Sequence, residues 1–135
     1  MILTKNQEIG LKLAVERYKN REKYTVIAGY AGTGKSTLVR YIISALNVDE
    51  SDVIYCAYTG KACTVLQNKG NKNVSTLHRL LWEWRPLPNG KFFRKTKDIV
   101  EKIVVVDEVS MVNGELINEL LRRPGIYILF LGDPA

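Results

Sequence analysis

One histidine, two cysteines, four prolines and two tryptophans are all that the 135 residues carry of those types. With His78 as the lone histidine and no C-x-x-C pair between Cys56 and Cys63, a zinc site would need carboxylates to complete its ligand set. The two cysteines read as reduced, partly buried thiols of a cytoplasmic protein. A chain of this size buries roughly two-thirds of its unfolded surface, so disulfide staples are not needed. No apolar stretch approaches the roughly 20 residues of a membrane span. The opening MILTKNQEIG lacks the long apolar core of an export signal. With 46% hydrophobic and 25% charged residues, disorder, collagen and coiled coil are disfavoured. The length suits one domain, and no repeat or low-complexity tract interrupts it.

Acidic residues are scarce in one place. Between positions 60 and 102, ten Lys/Arg face three acids, a segment charge of +7, while the rest of the chain comes to −1. A localised basic block suits an anionic partner such as nucleic acid, or a solvated basic face with no partner.

Apolar spacing outlines alternating elements. A helix is expected over 4–18, with Leu11, Ala14, Val15 and Tyr18 on one face and a Thr4/Gln7 capping box at its start. β-rich runs mark strands at 24–28, 53–57, 103–106 and 126–131. Further helices are expected over 38–46, over 60–69 with Gly70 as the stop, over 75–81 capped by Ser75 or Thr76, and around 116–121 before Pro124-Gly125. Strands alternating with helices imply a parallel sheet with right-handed crossovers, and continuous apolar strands imply that both its faces are covered. Ligands of such sheets bind at the carboxyl ends of the strands. Polar residues follow all four strands, at 29–37, 58–61, 107–108 and 132–133, so four chemically loaded strand ends are expected on one rim.

Residues 29–36 read G-x-x-x-x-G-K-S between an expected strand and an expected helix. Glycines let successive N–H groups turn toward phosphate oxygens, and the helix adds its positive end. Gly32, Thr33, Gly34, Lys35, Ser36 and Thr37 are therefore candidate contacts to a nucleotide, with Lys35 on the β and γ phosphates and Ser36 on Mg²⁺. The third strand ends in Asp107 and Glu108. The first can hold Mg²⁺ and the second can orient or deprotonate an attacking water, which gives hydrolysis rather than binding alone. The plain alternatives are a Gly-rich turn capping a helix and two surface acids.

Residues 82–95, WEWRPLPNGKFFRK, alternate Trp82 and Trp84, place Asn89-Gly90 as a two-residue hairpin turn, and follow with Phe92 and Phe93 among Lys91, Arg94 and Lys95. Pro86 and Pro88 make the hairpin's first strand a poor sheet member. The segment reads as an aromatic, basic hairpin open to nucleic acid or as a hydrophobic hairpin packed on the domain.

Six strings in order then resemble one family. LTKNQ at 3–7 resembles the helicase Q motif, GYAGTGKST at 29–37 motif I, AYTGKACTVL at 57–66 motif Ia and STLHRLL at 75–81 motif Ib. VVVDEVSM at 104–111 is similar to motif II in its DE-x-S-M form, and LGDP at 131–134 to the opening of motif III. Together they resemble the superfamily 1B DNA helicases of the RecD-like and Dda-like group. The fold implied is α/β: a RecA-like P-loop NTPase domain, the N-terminal motor domain of that family, with a parallel sheet flanked by helices and a small inserted β-hairpin.

The resemblance further implies ATP and Mg²⁺ as cofactors, with Ser36 and Asp107 on the metal and Lys35, Asp107 and Glu108 in catalysis. Gln7 would contact adenine, alongside its capping role, and Asp133 would sense the γ-phosphate region. Thr59, Lys61, Thr76 and His78 would lie along single-stranded DNA, where hydroxyls, an ammonium and a ring suit contact without sequence choice. His78 equally reads as a buried, hydrogen-bonded helix residue. Phe92 and Phe93 would sit on a wedge hairpin, 82–95, that parts the strands of forked DNA. The activity implied is ATP-dependent DNA unwinding in the 5′-to-3′ direction. The family continues past motif III into a second RecA-like domain carrying an arginine finger. The 135 residues alone are therefore expected to bind nucleotide, hydrolyse it poorly and not unwind DNA. A P-loop phosphotransferase explains 29–36 but not the basic block or the motif Ia and Ib strings. A non-enzymatic nucleic-acid-binding module leaves Lys35, Ser36, Asp107 and Glu108 without a purpose.

Overall fold

The structure is a computed structural model that describes residues 3–28 and 34–132. Helix α1, Lys5–Lys19, opens on the capping box: the Gln7 N–H donates to Thr4 Oγ1 at 3.2 Å and the Thr4 N–H donates to Gln7 Oε1 at 2.9 Å. Two donors that a helix start leaves without partners are thereby satisfied. Strand β1, Tyr24–Ala28, leads toward helix α2, Lys35–Leu46, which buries Leu38, Val39, Ile42 and Ile43 on one face and stops at Asn47 in the left-handed conformation. Strand β2, Val53–Ala57, and helix α3, Gly60–Asn68, follow. Next come strand β3, Val74–Thr76, helix α4, Leu77–Leu81, and the hairpin strands β4, Trp82–Pro86, and β5, Phe92–Thr96. Strand β6, Ile103–Val106, helix α5, Gly114–Leu121, and strand β7, Tyr127–Gly132, close the fold.

Five strands form a parallel sheet in the order β1-β7-β6-β2-β3, and β4 pairs with β5 in a separate antiparallel ribbon. Period-two alternation divides the central strands between two cores. Ile103 and Val105 of β6, with Tyr127, Leu129 and Leu131 of β7, pack under α1 and α2. Val104 and Val106, with Ile128 and Phe130, pack under α4 and α5. A smaller cluster of Ala57, Cys63 and Leu66 seats α3. This is the expected sheet flanked by helices, with the inserted hairpin outside it.

Four expectations are corrected. Val74–Thr76 is a fifth strand, paired in parallel with β2, where a helix was expected from 75. Three residues are too few to show a period, so the apolar spacing of Leu77, Leu80 and Leu81 dominates the reading of the whole stretch. Thr76 ends the strand and caps α4, accepting from the Arg79 N–H at 3.3 Å. Helix α2 begins at Lys35 rather than 38, because its first turn carries the polar KST. The hairpin turn is not a two-residue Asn89-Gly90 turn. Leu87 to Gly90 form the turn, closed by the Gly90 N–H to the Leu87 carbonyl at 3.1 Å, and Gly90 takes φ +82 just before Lys91. Pro88 suits the second position of such a turn, and the glycine absorbs the left-handed step that follows. Finally, β1 is not covered on both faces. It sits at the sheet edge, where α1 and α2 bury Thr25 and Ile27 but Tyr24 and Val26 stay exposed.

Leu116 anchors α5 in the core shared by β6 and β7 and is 1% exposed. Leu116→Ala should lower unfolding free energy by about 2–5 kcal/mol in denaturant titration, the usual cost of a buried Leu truncation.

Candidate functional site

Register brings the strand ends to one edge. Ala28 pairs with Gly132, Val106 with Phe130, Cys56 with Val106 and Ala57 with Thr76. The residues that follow β2 and β6, Tyr58 and Asp107, therefore leave the sheet on the same rim as the stretch after β1. A hydrogen bond from the Asp107 N–H to the Cys56 carbonyl, 2.9 Å, carries the ladder one residue past β6. Strands β1 and β6 flank β7, which sets their ends two strand spacings apart, about 10 Å.

Near this rim, Ser36 and Asp107 are among the residues that line one small cleft of about 20 Å³ between α2 and α3, along with Arg40, Tyr55, Lys69 and Leu131. A hydroxyl and a carboxylate are hard oxygen donors, the kind that suit Mg²⁺ completed by phosphate and water. Among the described residues no cluster of three or more His, Cys, Asp and Glu forms, so a metal here would depend on its ligand for the remaining donors. Lys35 is the first residue of α2, and Ser36 and Thr37 follow it in the same first turn. Gly32, Thr33 and Asp133 lie outside the described residues.

Gly34 shows why a glycine precedes the lysine. It takes φ +83, and a Cβ there would lie 2.5 Å from Gln7 Nε2. The Gln7 side chain thus spans two elements: its Oε1 caps α1 and its amide nitrogen packs against Gly34. The capping role is present, and the same side chain sits beside the phosphate-loop sequence.

Glu108 adopts the left-handed conformation, φ 51 and ψ 55, ahead of a 3₁₀ turn at Val109–Met111. For a non-glycine residue this costs about 1–2 kcal/mol. Surrounding structure holds it there. The Met111 N–H donates to the Glu108 carbonyl at 2.9 Å, and Val109 lies so close to β7 that a Cβ on Gly132 would fall 2.9 Å from Val109 Cγ1. Backbone strain of this kind concentrates at functional sites.

The ends of β2 and β3 lead into the sites suggested for nucleic acid. Thr59 caps α3, accepting from the Ala62 N–H at 3.1 Å, and Thr76 caps α4. Capping uses the hydroxyl oxygen as acceptor and leaves the O–H to donate. Lys61 is exposed in the first turn of α3. His78 is exposed as well, which removes its reading as a buried helix residue. Its ring stands 5.5 Å from Tyr58 and 6.1 Å from Trp82, centroid to centroid, and the Arg94 guanidinium lies 4.0 Å over Trp82. Tyr58 and Trp82 were not singled out as candidate site residues, and Arg94 was expected only as a base flanking the hairpin aromatics. An aromatic immediately after a strand end was the available signal for Tyr58.

Trp82 is buried, but Trp84 is 66% exposed, Phe92 63% and Phe93 43%. The hairpin is thus seated at its base and open along its length, so the packed alternative holds only for Trp82. Cross-strand pairing sets Phe92 opposite Pro86 and Phe93 opposite Arg85, which turns the two phenylalanines to opposite faces. Phe92 shares its face with Trp84 and Arg94. Burial pushes the thiols of Cys56 and Cys63 above their ordinary range, so neither is a nucleophile at neutral pH. No described helix is long and apolar enough to cross a membrane.

Comparison with known proteins places these residues in context. The model of the AAA domain family matches residues 12–135. The chain is 33% identical over 99% of its length to an uncharacterized protein of Acanthamoeba polyphaga mimivirus, covering 33% of that protein. It is 32% identical over 97% of its length to the ATP-dependent DNA helicase dda of Enterobacteria phage T4, covering 31% of it. It is 34% identical over 82% of its length to the ATP-dependent RecD2 DNA helicase of Deinococcus radiodurans, covering 15% of it. The chain therefore spans a third or less of the length of these relatives.

Gly132→Ala should lower stability by about 1–3 kcal/mol through overpacking against Val109. Val109→Ala in the same chain should return most of that loss in thermal or denaturant unfolding. Independent, additive effects would show that the close approach does not hold the 3₁₀ turn.

Proposed function

The chain belongs to the AAA domain family, as an N-terminal domain of the superfamily 1B helicases, and from that premise we propose that it is the ATP-binding motor domain of an ATP-dependent DNA helicase. The observation that carries this reading is that Ser36, which follows Lys35 at the start of α2, lines the same small cleft as Asp107, which follows β6. On this reading the stretch 29–34 and the first turn of α2 receive the phosphates of ATP. Lys35 neutralises the β and γ phosphates, and Ser36 and Asp107 hold Mg²⁺, which supplies charge stabilisation when bound. Glu108, held in a left-handed backbone conformation just past the end of β6, orients and deprotonates the water. Gln7 reaches adenine, and Asp133 reads the γ-phosphate region.

Single-stranded DNA lies along Thr59, Lys61, Thr76 and His78, with Tyr58 as a further stacking surface. Phosphates take the hydroxyls and the ammonium, and bases stack on rings. The hairpin, 82–95, meets the fork with Phe92 or Phe93 against the last base pair. A second RecA-like domain supplies the arginine finger and the other half of the track, and unwinding runs 5′ to 3′. Reduced, buried thiols suit work in the cytoplasm.

Lys35→Ala should weaken binding of a fluorescent ATP analogue by about tenfold or more, as loss of a charge-assisted phosphate contact requires. Unchanged binding would refute the phosphate site. In the full-length helicase carrying this domain, Glu108→Gln should keep nucleotide affinity and cut DNA-stimulated turnover by about a hundredfold or more. Phe92→Ala and Phe93→Ala should slow unwinding more than ATP hydrolysis. Because the two rings face opposite ways, one of the two should dominate. Equal loss of unwinding and hydrolysis in both would remove the wedge.

A further inference from the structure

Arg123 is a charged side chain that no motif claims, and it is only 7% exposed. Its guanidinium donates from Nη2 to the Leu81 carbonyl at 3.0 Å and from Nε to the Lys97 carbonyl at 3.2 Å. From Nη1 it donates to the Glu119 carbonyl at 3.2 Å and to Glu119 Oε2 at 3.4 Å. Leu81 is the last residue before β4, and Lys97 is the first after β5. One buried guanidinium therefore holds both feet of the hairpin against the end of α5. The feet also bond to each other, from the Lys97 N–H to the Leu81 carbonyl at 2.8 Å. Higher on the ribbon, Arg94 lies 4.0 Å over Trp82 and pairs with Glu115 of α5 at 3.4 Å.

We propose that Arg123 is the positioning residue of the hairpin: with Arg94 as a second tether, it fixes the ribbon rigidly on α5. Only a planar fork with several donors reaches three separate carbonyls and a carboxylate at once, and a lysine ammonium presents one point charge instead. Helix α5 is the first helix after Asp107 and Glu108, so the hairpin's pose is referred to the same element that continues from the acidic pair. Lys23, the residue before β1, donates from Nζ to the Arg123 carbonyl and ties the clamp to the strand leading into the phosphate loop. The consequence for DNA rests on the wedge reading above; the clamp itself does not.

Amide hydrogen exchange on the 135-residue chain tests it. Arg123→Lys should speed exchange over 82–97 by roughly tenfold while β6 and β7 keep their protection, since local and global opening separate in this measurement. Arg94→Met, at a more exposed site, should give the same local pattern at smaller size, and Arg122→Lys, its exposed neighbour, should change nothing. If Arg123→Lys does not fold, Arg94→Met alone decides between a tethered and an untethered ribbon. Acceleration spread evenly over the sheet with Arg94→Met silent, or no acceleration in either variant, overturns the clamp. Binding of forked against single-stranded oligonucleotides is measured alongside. A loosened hairpin with a lost preference for forks supports clamp and wedge together, whereas a loosened hairpin with fork preference intact keeps the clamp and removes the wedge.

Discussion

The pairing of β7 between β1 and β6 is the constraint on which the site depends. Parallel register fixes Ala28 against Gly132 and Val106 against Phe130. The end of the phosphate-loop strand and the start of the acidic pair are thereby held on one rim at a separation set by backbone hydrogen bonds. Side chains adjust the details. Leu129 and Leu131 fill the core under α1 and α2 while Ile128 and Phe130 fill the opposite core, so β7 cannot slip by one residue without inverting both. Gly132 then ends the strand without a side chain, and Val109 occupies the space beside it. The left-handed Glu108 is possible because its neighbours on both sides are fixed.

Much of this was legible in the sequence, for identifiable reasons. The runs VIYCA and IVVV match their strands residue for residue, because central strands of a parallel sheet need uninterrupted apolar and β-branched residues, and YTVIA matches as a half-buried edge strand rich in the same β-forming residues. Thr4 and Gln7 disclosed the capping box through their spacing alone. Val74–Thr76 was not legible as a strand, since three residues carry no period. Nor was the opposite facing of Phe92 and Phe93 drawn from adjacency, although a period of two demands it once the segment is a strand. Moving the turn from Asn89-Gly90 to the Leu87–Gly90 quartet left the strand pairing to be set by the proline.

Arg123 marks a different kind of gap. In LLRRPG, two arginines at a helix end both read as cations favoured by the helix dipole. One of them, Arg122, is that kind of surface residue, paired with Glu119 at 2.7 Å. What separates the two is the location of the Leu81 and Lys97 carbonyls, 42 and 26 residues upstream. The Leu81 carbonyl takes the guanidinium as a second donor beside the Lys97 N–H, and the Lys97 carbonyl lies just past the end of β5. A buried carbonyl without a donor is costly, and the sequence gives no local sign of where it will need one.

The lateral order of the sheet also divides the rim by task. On the proposed reading, β1, β7 and β6 serve the nucleotide and β2 and β3 serve the nucleic acid, with the boundary running between β6 and β2. That boundary is crossed at the rim by one backbone bond, from Asp107 to Cys56, two residues before Tyr58 and three before Thr59. A displacement of the acidic pair has two stiff outlets: across that bond into the β2 end, and along the 3₁₀ turn into α5. The first reaches the Tyr58–His78–Trp82 row of rings. The second reaches the same Trp82 through Glu115 and Arg94. Both routes converge on the base of the hairpin, so on the proposed reading the nucleic-acid track and the ribbon share one anchor, Trp82.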